Sequence, residues 1–312
     1  MTDILLIKSS APKKFIPHPP LGLGYLASVL RDNGFTSIEI LNLETHYMED
    51  DEFIDYIKQE TPRIVGFSCM TCSFLPGLKF ASLVKKANPG IITVLGGSHP
   101  SFQAREILEE HDFVDVVVRG EGEYTFLELV QKIMKKESLS TIEGISYRAN
   151  GNVCETEDRP FITNMDAIPY PARDVMKVKE YHESVGGSLI TSRGCPWRCL
   201  YCSTSQFHGH KFRPHSPEYV VNEMELLLRE YNCDKLGVAD DLFTFDRERV
   251  FKICDLILER DLKLTWGCSV RADTFDRELL EKMHEAGCDV LFIGVETVNN
   301  DVMKHIRKGL KI

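Results

Sequence analysis

Ser188-Leu-Ile-Thr-Ser-Arg-Gly-Cys195-Pro-Trp-Arg-Cys199-Leu-Tyr-Cys202 is the stretch on which the reading of this chain turns. Its opening residues, Ser188 to Thr191, form an apolar run of strand character, and Gly194-Cys-Pro196 bends the chain into a turn. Three thiols follow at spacings of four and three residues. With 10 cysteines in 312 residues, about 0.01 such triplets are expected by chance. A strand that empties into a tight loop carrying three soft ligands has the layout of a metal site, and thiolates suit iron–sulfur clusters and zinc. The ligand count separates the two. A 4Fe–4S cluster held by three thiolates leaves one iron open to another ligand, whereas structural zinc wants four protein ligands. His208 and His210, just downstream, keep zinc open as suppliers of a fourth.

Beyond the cysteines the chain alternates strand and helix signals. Ser216-Pro217-Glu218 reads as an N-cap with proline at the first helical position, opening a helix to about Tyr231. Strands are expected at Lys235 to Ala239, Leu264 to Cys268 and Val290 to Gly294, with helices at Arg247 to Arg260 and Asp276 to Ala286 between them. Four such units are part of a β/α barrel, in which chemistry sits at the strand carboxyl ends. The cysteines, Asp240, Asp241, Arg271 and Glu296 all fall there.

Upstream, residues 1 to 137 carry five short apolar runs separated by helical patterns: Ile4 to Ile7, Ile38 to Leu43, Ile64 to Ser68, Ile91 to Leu95 and Val114 to Val118. That alternation predicts a flavodoxin-like doubly wound parallel sheet of order 2-1-3-4-5, with ligands outside the strand carboxyl ends. The loops at those ends are Ser68-Cys-Met-Thr71, Gly96-Gly-Ser-His99-Pro100 and Arg119-Gly-Glu-Gly-Glu123. Their glycines either let backbone amides approach a ligand or simply make tight turns. Cys69 and Cys72 form a C-x-x-C that is either redox-active or incidental. Residues 138 to 187 read as a hairpin around Asn150-Gly151 followed by a linker punctuated by Pro160, Pro169 and Pro171, leaving 188–312 as the second domain.

A net charge of −10 argues against general affinity for nucleic acid or anionic membranes. No apolar run is long enough for a transmembrane helix, and the N-terminus lacks signal-peptide flanks, so a cytoplasmic location is expected. Ten cysteines are then not a disulfide framework, and Cys254 and Cys288 read as small buried apolar residues.

The cysteine triplet directly after a first barrel strand resembles the radical S-adenosylmethionine superfamily. The first half is similar to the cobalamin-binding domain of that superfamily's cobalamin-dependent branch, and Pro19-Pro-Leu-Gly22, Gly96-Gly-Ser-His99-Pro100, Val118-Arg-Gly-Glu-Gly-Glu123, Ile168-Pro-Tyr-Pro-Ala-Arg173 and Ala239-Asp-Asp-Leu-Phe-Thr244 all sit where that branch carries similar stretches. The resemblance covers almost the whole chain. It implies that Cys195, Cys199 and Cys202 bind a 4Fe–4S cluster whose fourth iron is chelated by S-adenosylmethionine, and that one-electron reduction cleaves that cofactor to methionine and a 5′-deoxyadenosyl radical. Asp240 or Asp241 would then meet its amino group, Arg271 its carboxylate, Glu296 the ribose, and Tyr201 would lie near adenine. Cobalamin would contact Ser68, Thr71, Gly96, Gly97 and Glu121, with His99 as a hydrogen-bonding wall residue. The implied chemistry is methylation of an unactivated carbon, or radical cyclisation or rearrangement, of a small molecule of lipid, tetrapyrrole or antibiotic type. The enzyme would be oxygen-sensitive and served by a reductant such as flavodoxin or ferredoxin.

Two departures qualify the resemblance. The loop Ser9 to His18 lacks the Asp-x-His-x-x-Gly pattern of cobalamin proteins that ligate cobalt through histidine. The family barrel has six strands, whereas four are read here and the sequence stops just past Ile306-Arg-Lys-Gly309, so an incomplete barrel is expected. Two alternatives stay open: a radical S-adenosylmethionine enzyme without cobalamin, and a non-catalytic zinc-binding scaffold.

Overall fold

The computed structural model describes residues 2–9 and 16–310, without the side chains of Glu183 and Ser184. Most of the loop compared with the Asp-x-His-x-x-Gly pattern therefore lies outside the described residues. The chain forms two compact units: Met1–Phe161 with Pro169–Lys177, and Ile162–Ile168 with Val178–Ile312. No described helix is long and apolar enough to cross a membrane.

In the first unit, β1 (Ile4–Lys8), β2 (Ile38–Asn42), β3 (Ile64–Ser68), β4 (Ile92–Gly96) and β5 (Val116–Val118) run parallel in the expected order β2-β1-β3-β4-β5. Strands covered on both faces must be apolar throughout, and Ile4-Leu-Leu-Ile7 and Val116-Val-Val118 are buried at every residue. Helices Leu21–Asp32, Asp50–Glu60, Phe74–Ala87 and Glu123–Lys135 connect the strands. The last stretch before β5 holds two short helices, Ser98–Phe102 and Ala104–Glu110, separated at Gln103.

Residues 138 to 187 hold the hairpin read from sequence, and it packs onto the first unit. The hairpin forms around Asn150-Gly151, both at positive φ (50° and 80°). Its strands β6 (Ile145–Ala149) and β7 (Asn152–Glu155) extend the first sheet, because β6 pairs antiparallel with β5. Arg119, at the end of β5, ties the hairpin down by donating to the Ile145 carbonyl (2.7 Å) and the Thr156 carbonyl (2.5 Å). The proline-rich stretch also returns to the first unit. Ser28 Oγ donates to the Tyr170 carbonyl (2.5 Å), Ala172 N to the Gly24 carbonyl (3.0 Å), and Arg31 forks onto Asp174. A Cβ on Gly24 would lie 2.6 Å from the Met176 sulfur, so glycine there admits the returning chain.

In the second unit, β8 (Gly187–Leu189), β11 (Lys235–Val238), β12 (Thr265–Val270) and β13 (Cys288–Ile293) form a parallel sheet in the order β13-β12-β11-β8. Helices Pro217–Tyr231, Arg247–Glu259 and Arg277–Glu285 open on side-chain caps from Ser216, Asp246 and Asp276. Cys254 and Cys288 are buried as read. A two-stranded antiparallel ribbon was not anticipated: β9 (Ser192–Arg193) pairs with β10 (Arg213–Pro214). The cysteine loop is the excursion between them.

His215 follows the ribbon and is 1% exposed. It stacks on Tyr219 at 3.9 Å between centroids, with Nδ1 3.2 Å from Asp166 Oδ1. Burial holds its pKa down to about 4 against the opposing pull of Asp166. Between that value and the unfolded value near 6.5 the unfolded chain binds the proton more tightly, so stability falls as pH falls through this window. Wild type is expected to lose roughly 2 kcal/mol from this group between pH 8 and pH 5, and His215→Gln to lack that component, compared by urea midpoints. Equal pH slopes for the two proteins would contradict the assignment.

Candidate functional site

The cysteine loop leaves the carboxyl end of β8 and is zipped at its base. Cys195 N donates to the Gly209 carbonyl (3.2 Å), and Arg213 donates to the His208 carbonyl (2.9 Å). Gly194 sits at φ 83°, where a Cβ would run into the carbonyl of Lys211, so the residue before the first cysteine has to be glycine. Cys195, Cys199 and Cys202 are free thiols, each partly exposed. The Cys195 thiol is pushed up in pKa, first by burial and then, against a backbone hydrogen bond from Trp197 that lowers it, by Cys202, Asp241 and Cys199. Among the described residues no three His, Cys, Asp or Glu side chains converge as a single ion requires, and neither His208 nor His210 joins the thiols in such a group.

The acidic pair after β11 does a different job from the one expected of it. Asp240 is buried, and its carboxylate accepts from Thr191 N, Thr191 Oγ1 and Ser192 Oγ, each at 2.6 Å. Burial pushes its pKa up, while Arg249 and these donors pull it down. Both oxygens are spent on the β8–β9 corner, so Asp240 is not placed to meet a ligand amino group. Asp241 Oδ2 accepts from Gly194 N (3.0 Å) and pairs with His208 Nδ1 (2.9 Å).

Arg271 is likewise committed. It donates to Asp273 Oδ1 (2.7 Å) and to the Lys308 carbonyl, and its guanidinium carbon lies 4.6 Å from the centroid of the Trp197 ring. That is a cation–π contact onto the cysteine loop itself. Tyr201 is half exposed beside Leu200, and its phenol accepts from Lys308 Nζ (3.1 Å), which also pairs with Glu296 (2.9 Å). Lys308 is only 6% exposed and was missed from sequence, although it lies in the Ile306-Arg-Lys-Gly309 stretch. Leu200 N donates to the Ile306 carbonyl (3.0 Å), so this segment is stitched to the loop at several points. The structure thus gathers Tyr201, Glu296 and Lys308 in one cationic–anionic network beside the thiols.

In the first unit, Thr71 and His99 meet at the carboxyl end of the sheet, with His99 Nδ1 3.2 Å from Thr71 Oγ1 and its ring 4.0 Å from that of Phe74. Ser68 ends β3 and Glu121 follows β5, both partly exposed. The two glycines differ. A Cβ on Gly97, at φ 97°, would lie 2.6 Å from the Cys69 carbonyl oxygen, so glycine there serves the close approach of two loops. A Cβ on Gly96 would make ordinary van der Waals contact with the Val118 carbonyl at 3.8 Å, so close packing does not require glycine there. The C-x-x-C is split: Cys69 is sealed against Ser9 (3.3 Å) with its pKa raised by burial to about 11, while Cys72 is exposed. Sequence reading also missed the exposed Met70, Phe102 and Leu75, the last 73% exposed, in the segments that follow β3 and β4. Apolar surface in that position has the character of a ligand shelf.

Comparison with known proteins places this geometry. Residues 16–130 match the B12 binding domain model and residues 189–311 the Radical SAM superfamily model. The chain is 35% identical to the uncharacterized methyltransferase PH0819 of Pyrococcus horikoshii, over 94% of this chain and 64% of that protein. It is 30% identical to the anaerobic magnesium-protoporphyrin IX monomethyl ester cyclase of Rubrivivax gelatinosus, over 89% of this chain and 52% of that protein. The chain therefore spans about half to two thirds of the length of these relatives. The structure of the radical S-adenosylmethionine methyltransferase TsrM from Kitasatospora setae, with cobalamin and a [4Fe-4S] cluster bound, superposes with a TM-score of 0.81 at 19% identity, over 97% of this chain and 62% of that one.

Proposed function

The chain belongs to the family that joins a B12-binding domain to a radical SAM domain, and from that premise we propose that it is the cofactor-binding part of a cobalamin-dependent radical enzyme acting on a small organic substrate. The observation that carries this reading is the cysteine loop: three partly exposed thiols at spacings of four and three residues, on a braced excursion at a strand carboxyl end. When bound there, a 4Fe–4S cluster with S-adenosylmethionine supplies one-electron cleavage of a sulfonium, and cobalamin on the first unit supplies a methyl carrier.

The chain's own residues divide the work. Cys195, Cys199 and Cys202 hold the cluster. Lys308 offers a buried cation for an amino-acid carboxylate, Glu296 an acceptor for ribose hydroxyls, and Tyr201 a half-exposed ring for adenine stacking. Arg271 keeps Trp197 and the Lys308 carbonyl in place rather than reaching a ligand. On the first unit, Ser68, Thr71, Gly96, His99 and Glu121 line the polar part of a corrin site, and Met70, Leu75 and Phe102 give it an apolar shelf. Methylation of an unactivated carbon and radical cyclisation are both within this chemistry, and the two relatives carry one name of each kind. A flavodoxin- or ferredoxin-like protein is the expected electron donor, and the reduced cluster is expected to be destroyed by oxygen.

The test is cofactor uptake. Protein loaded anaerobically with iron, sulfide and hydroxocobalamin, then desalted, is expected to retain stoichiometric corrin by its absorbance bands. Leu75→Asp should weaken that retention at least several-fold, since a charge would sit on the apolar shelf. Iron uptake without any corrin would leave a radical enzyme lacking cobalamin instead.

A further inference from the structure

The cysteine loop has two limbs that enter and leave through the β9–β10 ribbon, and a single carboxylate touches both. Asp241 Oδ2 accepts from the backbone N–H of Gly194, the residue immediately before Cys195. The same oxygen lies 2.9 Å from Nδ1 of His208, six residues beyond Cys202. Asp241 is largely buried (its side chain 12% exposed), so these bonds are not lost to water. Its neighbour Asp240 grips Thr191 and Ser192 on the strand side of the corner. The two successive carboxylates therefore brace consecutive parts of one path: Asp240 the corner where β8 turns into β9, Asp241 the mouth of the loop.

The geometry of that mouth leaves little freedom. Gly194 at φ 83° is packed against the carbonyls of His208, Gly209 and Lys211, so its N–H direction is fixed, and the direction of the N–H fixes where the chain delivers Cys195. Two-point attachment by one charged acceptor is stronger and more directional than either neutral bond alone. We propose that Asp241 is the positioning residue of the cysteine loop, setting the separation of Cys195 from Cys199 and Cys202 rather than contacting any cofactor itself. This rests on the reading of the three cysteines as cluster ligands.

The test compares Asp241→Ala, Asp241→Asn and His208→Ala with two controls. Cys195→Ala reports on the cluster reading, and Asp246→Ala removes the helix cap at Arg249 N, a structural hydrogen bond to a residue outside the loop. Each chain is reconstituted anaerobically, desalted, assayed for iron, and examined by EPR after dithionite reduction; melting temperature is read on the unloaded chain. Asp241→Ala is expected to retain less than half the wild-type iron, with the remaining signal broadened and its g-values shifted. Asp241→Asn, which keeps an acceptor for Gly194 N–H, should recover most of the iron, and His208→Ala should fall between. Asp246→Ala should melt lower yet load normally. Wild-type iron and an unchanged EPR signal in Asp241→Ala would overturn the proposal, as would iron losses that merely follow melting temperature across Asp241→Ala and Asp246→Ala. If Asp241→Ala does not fold, the same comparison is made on Asp241→Asn and His208→Ala: iron and g-values unchanged in both overturn it, and g-values shifted in either support it. Full iron retention by Cys195→Ala would be a different failure, that of the cluster assignment.

Discussion

A chain carrying Cys195→Ala, Cys199→Ala and Cys202→Ala together is expected to bind no iron after anaerobic reconstitution, against about four irons per wild-type chain. The effect is complete because Cys195, Cys199 and Cys202 are all the cysteines of this loop, and an iron–sulfur cluster is anchored through thiolates. Folding should survive. The three side chains are partly exposed, and the loop is held by Asp241, by Arg271 on Trp197 and by the Leu200–Ile306 hydrogen bond, none of which involves a thiol. Circular dichroism and melting of the unloaded variant should therefore match wild type, while the absorbance near 400 nm and the iron count vanish. Iron bound in full by the triple variant would remove the basis for the functional reading.

Asp240→Ala is expected to be the most destabilising single change in the second unit. It would strand three buried donors, Thr191 N, Thr191 Oγ1 and Ser192 Oγ, and take away the anion opposite Arg249. Arg249 is itself buried and donates to the carbonyls of His215 and Thr191. Removing one member of such a buried charged set costs about 3–5 kcal/mol, enough to lower the melting temperature of this unit by about 10 °C or more. Asp240→Asn should cost less, since the amide oxygen still accepts from Thr191 N. The measurement is the melting transition of the unloaded chain, followed unit by unit because a chain of two compact units need not unfold in one step. A loss below about 1 kcal/mol for Asp240→Ala would mean that the carboxylate is not the keystone of the β8–β9 corner.

Both predictions show how unevenly the site was legible. The thiols could be found from spacing alone, because a loop of eight residues closes within itself. The same holds for the parallel order of the first sheet, where continuous apolar runs such as Ile4-Leu-Leu-Ile7 alternate with helical periods. Asp240, Asp241, Arg271 and Glu296 were correctly placed at strand ends, yet their partners were not foreseen. Lys308, which joins Glu296 to Tyr201, drew no role although its Ile306-Arg-Lys-Gly309 stretch was recognised, and the hairpin around Asn150-Gly151 was read without its pairing to β5.

The sequence by itself determined the two α/β units, the position of the cysteine loop on the first strand of the second, and the glycine turn that opens it, since strand period, helix caps and close cysteine spacing are local properties. Only the tertiary structure decided which charged residues face a ligand and which hold the scaffold. Asp241 meets Gly194 across 47 residues and Lys308 meets Tyr201 across 107. Whether a carboxylate at a strand end is free or spent depends on which donors the returning chain delivers within about 3 Å, and no periodicity in the sequence records that.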